Sequence, residues 1–210
     1  MRIRFFTLSA VLTAALLFAQ PSDAQIYGKL NALYACAGVI NPQVEFAVSQ
    51  HSAFQTELVV SPYKSVFGGH PMLFGIFMNE YRYYFRQHNS GFYVGANAGL
   101  QIFNMSKPQF SGGKISLQNR YCKGYGYMLG VCAGYEYRFR ERWLLDAFIG
   151  FGYLASWYNG YDLDGNIDMH PHGHDIAEND PFNGSAEWLP NKIGLSIGYR
   201  LFDPKKHKYD

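Results

Sequence analysis

The sequence predicts an all-β protein: an eight-stranded antiparallel transmembrane β-barrel of the up-and-down kind, preceded by a signal peptide. Three observations predict it. Stretches of the chain alternate residue by residue between an apolar, aromatic-rich side and a side of glycines and charges. Short and long connections alternate between those stretches. Aromatic residues make up 18% of the chain and charged residues 16%, the latter well under the ~25% of a typical soluble domain.

Residues 1–24 read as a secretory signal peptide. Arg2 and Arg4 precede an apolar run from Phe5 to Ala19, and Pro21-Ser22-Asp23-Ala24 supplies a small-residue cleavage site. Gln25 follows the cut, so the cysteine expected of a lipoprotein is missing. No later segment approaches the ~20 apolar residues that a membrane-spanning helix needs. Residues 25–202 are therefore expected to be the barrel, and 203–210 a short polar periplasmic tail.

Strands are expected near 27–37, 42–50, 54–60, 72–86, 92–103, 122–139, 143–158 and 190–202. The fifth shows the pattern plainly: Phe92, Val94, Ala96, Ala98, Leu100 and Ile102 alternate with Tyr93, Gly95, Asn97, Gly99 and Gln101. Successive strand side chains point to opposite faces, whereas a helical period would scatter these residues around a cylinder. The connections at 51–52, 87–90 and 140–142 are tight. Those at 61–71, 104–121 and 159–189 are long and polar, and the first, at 38–41, is short. Even strand number, short periplasmic turns and longer outer loops are the pattern of outer-membrane barrels, and eight strands put both termini in the periplasm.

Alternation alone does not say which face is outside, because a lipocalin-like periplasmic barrel turns its apolar face inward around a ligand. Three features favour the membrane polarity. The polar face is rich in glycine, and an eight-stranded barrel has an interior just wide enough for side chains to fill. By phase, that face also carries Lys29, Arg82, Arg138, Lys192 and Arg200 with Glu45, Glu57, Glu80, Glu136 and Asp146. Such charges are tolerable inside a narrow barrel as paired, hydrogen-bonded networks. The third feature is a pair of aromatic girdles. Tyr81, Tyr83, Phe92, Tyr135, Tyr137 and Trp143 sit beside the tight turns, and Trp157 and Tyr158 near the long loops, as expected at two membrane interfaces. The last strand ends Tyr199-Arg200-Leu201-Phe202, similar to the aromatic C-terminal signal read by barrel-assembly machinery.

The landmarks Lys29-Leu30-Asn31-Ala32-Leu33-Tyr34, Asn41-Pro42-Gln43-Val44-Glu45-Phe46, Glu80-Tyr81-Arg82-Tyr83-Tyr84, Gly130 to Tyr137 and Lys192-Ile193-Gly194 occur in this order. In order and spacing the chain resembles an uncharacterised Bacteroidetes family of outer-membrane β-barrel proteins known as a domain of unknown function. The resemblance implies location and architecture, brings no catalytic residues, and hints at surface assembly because some members lie near fimbrial genes.

Chemistry is sparse. In the loop between strands seven and eight, His170, His172, His174 and Asp175 could gather a divalent metal, but His, Gly, Asp and Pro are ordinary in long exposed loops. No other cofactor is expected. Asp162 to Asp168 resembles the start of a calcium loop but lacks the closing Glu. An outer-membrane lipid-modifying enzyme is the competing class. It needs a nucleophile and base held on rigid strands, yet every His after the cleavage site falls in a turn, a loop or the tail, so no enzyme is expected. Cys36, Cys122 and Cys132 leave at least one thiol unpaired, and a Cys36–Cys122 bridge is not expected because their strands are not neighbours. Net charge is +2, with no basic run apart from the tail, which disfavours nucleic acid. The expected partners are outer-membrane lipid, the assembly machinery and an extracellular or surface protein reached through the long loops.

Overall fold

The computed structural model describes residues 25–66, 69–106, 108–111, 114–117, 120–140, 142–164 and 186–202. The expected signal peptide, the candidate metal ligands His170, His172, His174 and Asp175, and the tail lie outside these residues. Among the described residues ten strands follow one another: β1 (Ile26–Asn31), β2 (Pro42–Ala47), β3 (Ser52–Val66), β4 (His70–Tyr84), β5 (Gly91–Met105), β6 (Pro108–Ser111), β7 (Lys114–Leu117), β8 (Arg120–Phe139), β9 (Trp143–Asp162) and β10 (Ala186–Phe202). Eight of them close a barrel in the order β1-β10-β9-β8-β5-β4-β3-β2. Every neighbouring pair is antiparallel, and β1 meets β10 through Lys29 opposite Gly198 and Asn31 opposite Ser196. Strands β6 and β7 form a separate hairpin within the connection from β5 to β8.

Alternation sets the polarity of the wall. Leu100, Ile102, Val131 and Ile149 are 60–67% exposed, whereas Glu45, Gln55, Arg82 and Asp146 are fully buried. The apolar face is outward and the charged face inward, the reverse of a ligand-binding lipocalin cavity. The inward glycines make room for long side chains. A Cβ on Gly134 would lie 2.5 Å from the Tyr93 ring, and one on Gly194 would lie 2.3 Å from Phe148.

Two local departures from the expected elements stand out, and the first has a clear cause. The first strand stops at Asn31 rather than reaching residue 37, because the Asn31 side chain accepts a hydrogen bond from the Leu33 amide and caps a short helix, α1 (Ala32–Cys36). The helix closes at Gly38, whose φ of +67° suits glycine. The connection at 104–121, expected to lack strands, contains the β6–β7 hairpin. Strands β3, β5, β8, β9 and β10 run further than expected, with β8 and β9 each 20 residues long, whereas β2 ends at Ala47, short of the expected residue 50, and β4 is shifted two residues toward the N-terminus.

Candidate functional site

Each of the eight wall strands sends a polar side chain to the same place in the lumen. Lys29 on β1 donates to Glu45 on β2, to Glu136 on β8 and, at 3.1 Å, to Asp146 on β9. Arg82 on β4 meets the same three carboxylates through Nη1, at 2.8, 3.0 and 2.8 Å for Glu45, Glu136 and Asp146. Its Nε donates to Glu80 at 2.6 Å. Glu80 then links to a second tier, where Lys192 on β10 reaches Glu80 at 2.9 Å and Glu57 on β3 at 3.3 Å. Strand β5 contributes Tyr93, whose hydroxyl donates to Asp146 at 2.9 Å and whose ring lies 4.4 Å from the Arg82 guanidinium carbon.

In this connected set five carboxylates share three cations, so neutral donors carry part of the load. The Tyr84 hydroxyl and the Asn89 amide each donate to Glu45 at 2.8 Å. Asn89 comes from the tight turn between β4 and β5, with φ of +59°, and its side chain plugs the barrel from that end. Taking ions out of water costs several kcal/mol each, and such a cluster persists when its geometry and remaining hydrogen bonds are good. Polar contacts continue above it, with Asn191 donating to Asn97 at 2.9 Å and Gln101 to Ser156 at 3.1 Å. Polar side chains thus meet across the lumen at several levels among the described residues.

Glu45, Glu136 and Asp146 bring one carboxylate oxygen each within 4.8 Å of the others, a spacing that could hold a metal ion. Lys29 Nζ and Arg82 Nη1 contact the same oxygens. The trio is thus already engaged by the protein's own cations, and a metal would have to compete with Lys29 and Arg82 for these oxygens.

The amino-acid sequence matches, over residues 5–201, the family model described as a protein of unknown function (DUF3575). The chain belongs to this DUF3575 family. The membership expected from the landmark residues therefore holds across almost the whole length. Among curated proteins none matches the chain. Among solved structures it is similar to the N-terminal β-barrel domain of Pseudomonas aeruginosa OprF. There the identity is 13% and the TM-score 0.39, covering 85% of this chain and 95% of that one.

Of the ten charged residues expected in the lumen of this DUF3575 chain, the structure gathers eight. Arg138 and Arg200 stand apart, half-buried at the tight-turn end. Arg138 lies two residues beyond Glu136 and donates to the carbonyl of His88 at 3.1 Å. Arg200 lies in register with Tyr27, one step outside the Lys29–Gly198 pair. Among the expected girdle residues, Tyr81, Tyr83, Phe92, Tyr135, Tyr137, Trp143 and Trp157 are exposed on the outer wall. Tyr158 is a correction: strict alternation after Trp157 turns it inward, where its ring meets the buried Phe103 at 6.2 Å. Trp188, 69% exposed and 6.1 Å from Phe151, takes a place in that upper girdle. Sequence reasoning missed it by starting the last strand at 190, and also missed Tyr84, Tyr93 and Asn89 as lumen donors. The inward phase of Tyr93, opposite Val94, was the available signal.

The turn residue His88 is buried beside Arg138. Burial holds its imidazole below the usual histidine range, the Arg138 charge adds to this, and the carbonyls of Gln50 and Ser49 oppose it.

Proposed function

We propose that this chain is an integral outer-membrane barrel with a non-catalytic role, its termini in the periplasm and its long loops facing outward to engage a surface partner. The observation that carries the reading is the inside-out polarity. The wall is apolar and ringed by aromatics, whereas the lumen is filled by the network centred on Lys29, Arg82, Glu45, Glu136 and Asp146. Lipid is the solvent that such a wall fits, and ring closure lets neighbouring strands pair their backbone groups without water. A filled lumen makes the barrel a poor conduit. The charged residues are engaged with one another, which leaves the loop end as the working face. Barrel-assembly machinery would insert the chain, reading Tyr199 to Phe202.

The partner class that fits best is a protein of the cell surface, including components of surface-fimbria assembly. The test deletes residues 108–117 and 165–184, singly and together, and measures binding of the purified barrel in detergent to isolated surface appendages of the same cells. Retained heat-modifiable gel migration with lost binding supports the reading. Unchanged binding by the inserted double deletion overturns it.

A further inference from the structure

The barrel wall is uneven in height. Strands β1 and β2 have six residues each, against fifteen to twenty in β3, β4, β5, β8, β9 and β10. Six residues at ~3.4 Å rise and a tilt of ~40° give a wall about 15 Å tall, short of the ~25 Å apolar band of an outer-membrane barrel. Above that level the edges of β3 and β10 have no strand between them. The connection from Ala32 to Ile40, containing α1, occupies the gap.

Its make-up is unlike that of a water-exposed loop. Ala32-Leu33-Tyr34-Ala35-Cys36-Ala37-Gly38-Val39-Ile40 carries no charge, and Leu33 and Ile40 are 49% and 58% exposed. Backbone groups pair within the protein. The amides of Ala37, Gly38 and Val39 bond the carbonyls of Leu33, Ala35 and Tyr34, and Ile40 exchanges both backbone bonds with Val60. The Tyr63 hydroxyl donates to the Ala37 carbonyl at 2.8 Å. On the other side the Asn31 amide donates to the Ile193 carbonyl on β10 at 3.2 Å.

The height is set by the neighbours. Beside β10, α1 follows directly on Asn31, which lies in register with Ser196 and reaches the Ile193 carbonyl, on the side toward Trp188 of the upper girdle. On β3, Ile40 is level with Val60, two outward positions short of Lys64, the first charge on that side. Outward Leu30, Leu58 and Ile193, 44–58% exposed, continue the patch downward into the apolar wall.

We infer that residues 32–40 are a lipid-facing part of the barrel wall, embedded among membrane acyl chains where a short strand pair leaves a notch, and not a displayed surface loop. The inference rests on the reading of the chain as a membrane-spanning barrel. Lipid offers no hydrogen bonds, so a non-strand segment persists there to the extent that its own groups are paired, as are the amides of Leu33, Ala37, Gly38, Val39 and Ile40 and the carbonyls of Leu33, Tyr34, Ala35, Ala37 and Ile40. Continuity with the apolar belt identifies acyl chains as the occupant.

Cys36 sits in this segment and is exposed, whereas Cys122 and Cys132 are buried. A bimane label on Cys36, in a C122S/C132S background, would be read in vesicles of brominated phosphatidylcholine and, separately, with aqueous iodide. Labels at Ile102→Cys and Asp164→Cys, each with Cys36→Ser added, serve as wall and loop references. Should the C122S/C132S background fail to insert, the native chain serves instead, with Cys36 blocking by a charged maleimide compared in vesicles and in detergent. The expected result is fluorescence loss at Cys36 with brominated lipid, matching residue 102, and none with iodide, together with maleimide blocking in detergent alone. Iodide quenching at Cys36 with lipid quenching at residue 102 overturns the inference and leaves the membrane barrel standing. Quenching at Cys36 by neither agent means that protein, such as a second copy, covers the patch, and overturns it too. Iodide quenching at residue 102 overturns the membrane reading, and the inference falls with it.

Discussion

Lys29 and Arg82 stand three strands apart around the barrel, yet both bind the same three carboxylates, Glu45, Glu136 and Asp146. These two cations tie β1, β2, β4, β8 and β9 together through the lumen, crossing the interior where the backbone ladder runs only around it.

Removing one cation should therefore cost more than a surface change. Arg82→Met leaves Glu45, Glu80, Glu136 and Asp146 with reduced compensation, and loss of one partner in a buried ion network costs about 3–5 kcal/mol. Adding Glu45→Gln removes one of the stranded charges, so the double variant should be less destabilised than the sum of the singles. The midpoint temperature of the heat-modifiable gel shift measures both. Strict additivity would argue against a shared network.

Gly134 should be intolerant of a side chain. Its Cβ would press on the Tyr93 ring, which also holds Asp146 through its hydroxyl. Gly134→Ala should destabilise the barrel by about 1–3 kcal/mol, the range for overpacking. In a Tyr93→Phe background, where the hydroxyl contact is gone, the further loss should shrink. Equal losses in both backgrounds would disconnect Gly134 from the network.

The pH dependence at the tight-turn end has a definite sign. His88 is held neutral by burial, with its folded pKa below the unfolded value of ~6.5. As pH falls through that unfolded value the unfolded chain takes up a proton that the folded chain resists, so stability drops. His88→Gln should flatten this part of the profile between neutral and mildly acidic pH in thermal-shift measurements. An unchanged slope would assign the effect elsewhere.

Much of this was legible in the sequence because two-residue alternation is a local signal. From Phe92 to Phe103 and from Tyr125 to Phe139 the phase alone sorts wall from lumen, and it placed Lys29, Glu45, Arg82, Glu136 and Asp146 inside. The same phase contradicts Tyr158 as a girdle residue, since Trp157 beside it faces out. The end of the first strand was not legible, because Ala32 to Cys36 alternates poorly in either state and the choice falls to the Asn31 cap. Nor was Asn89, a turn residue by composition, whose left-handed backbone aims its amide at Glu45. Phase gives no height, so it could not show that Arg138 and Arg200 lie one step beyond the cluster.

The filled lumen makes a prediction about transport. Purified protein in planar lipid bilayers should show no steady unitary conductance, because Arg82, Lys29 and Lys192 with their carboxylates occupy the interior. Open steps in the unmodified protein would mean that the network parts in a membrane.

The most direct measurement of the central claim is cell fractionation with surface-protease accessibility, using an epitope inserted at Gly173 between β9 and β10 and a second at the C-terminus. An outer-membrane barrel with outward loops should appear in the outer-membrane fraction, lose the Gly173 epitope to protease on intact cells, and keep the C-terminal one. A soluble chain with both epitopes protected would contradict the account and make a periplasmic barrel the working description.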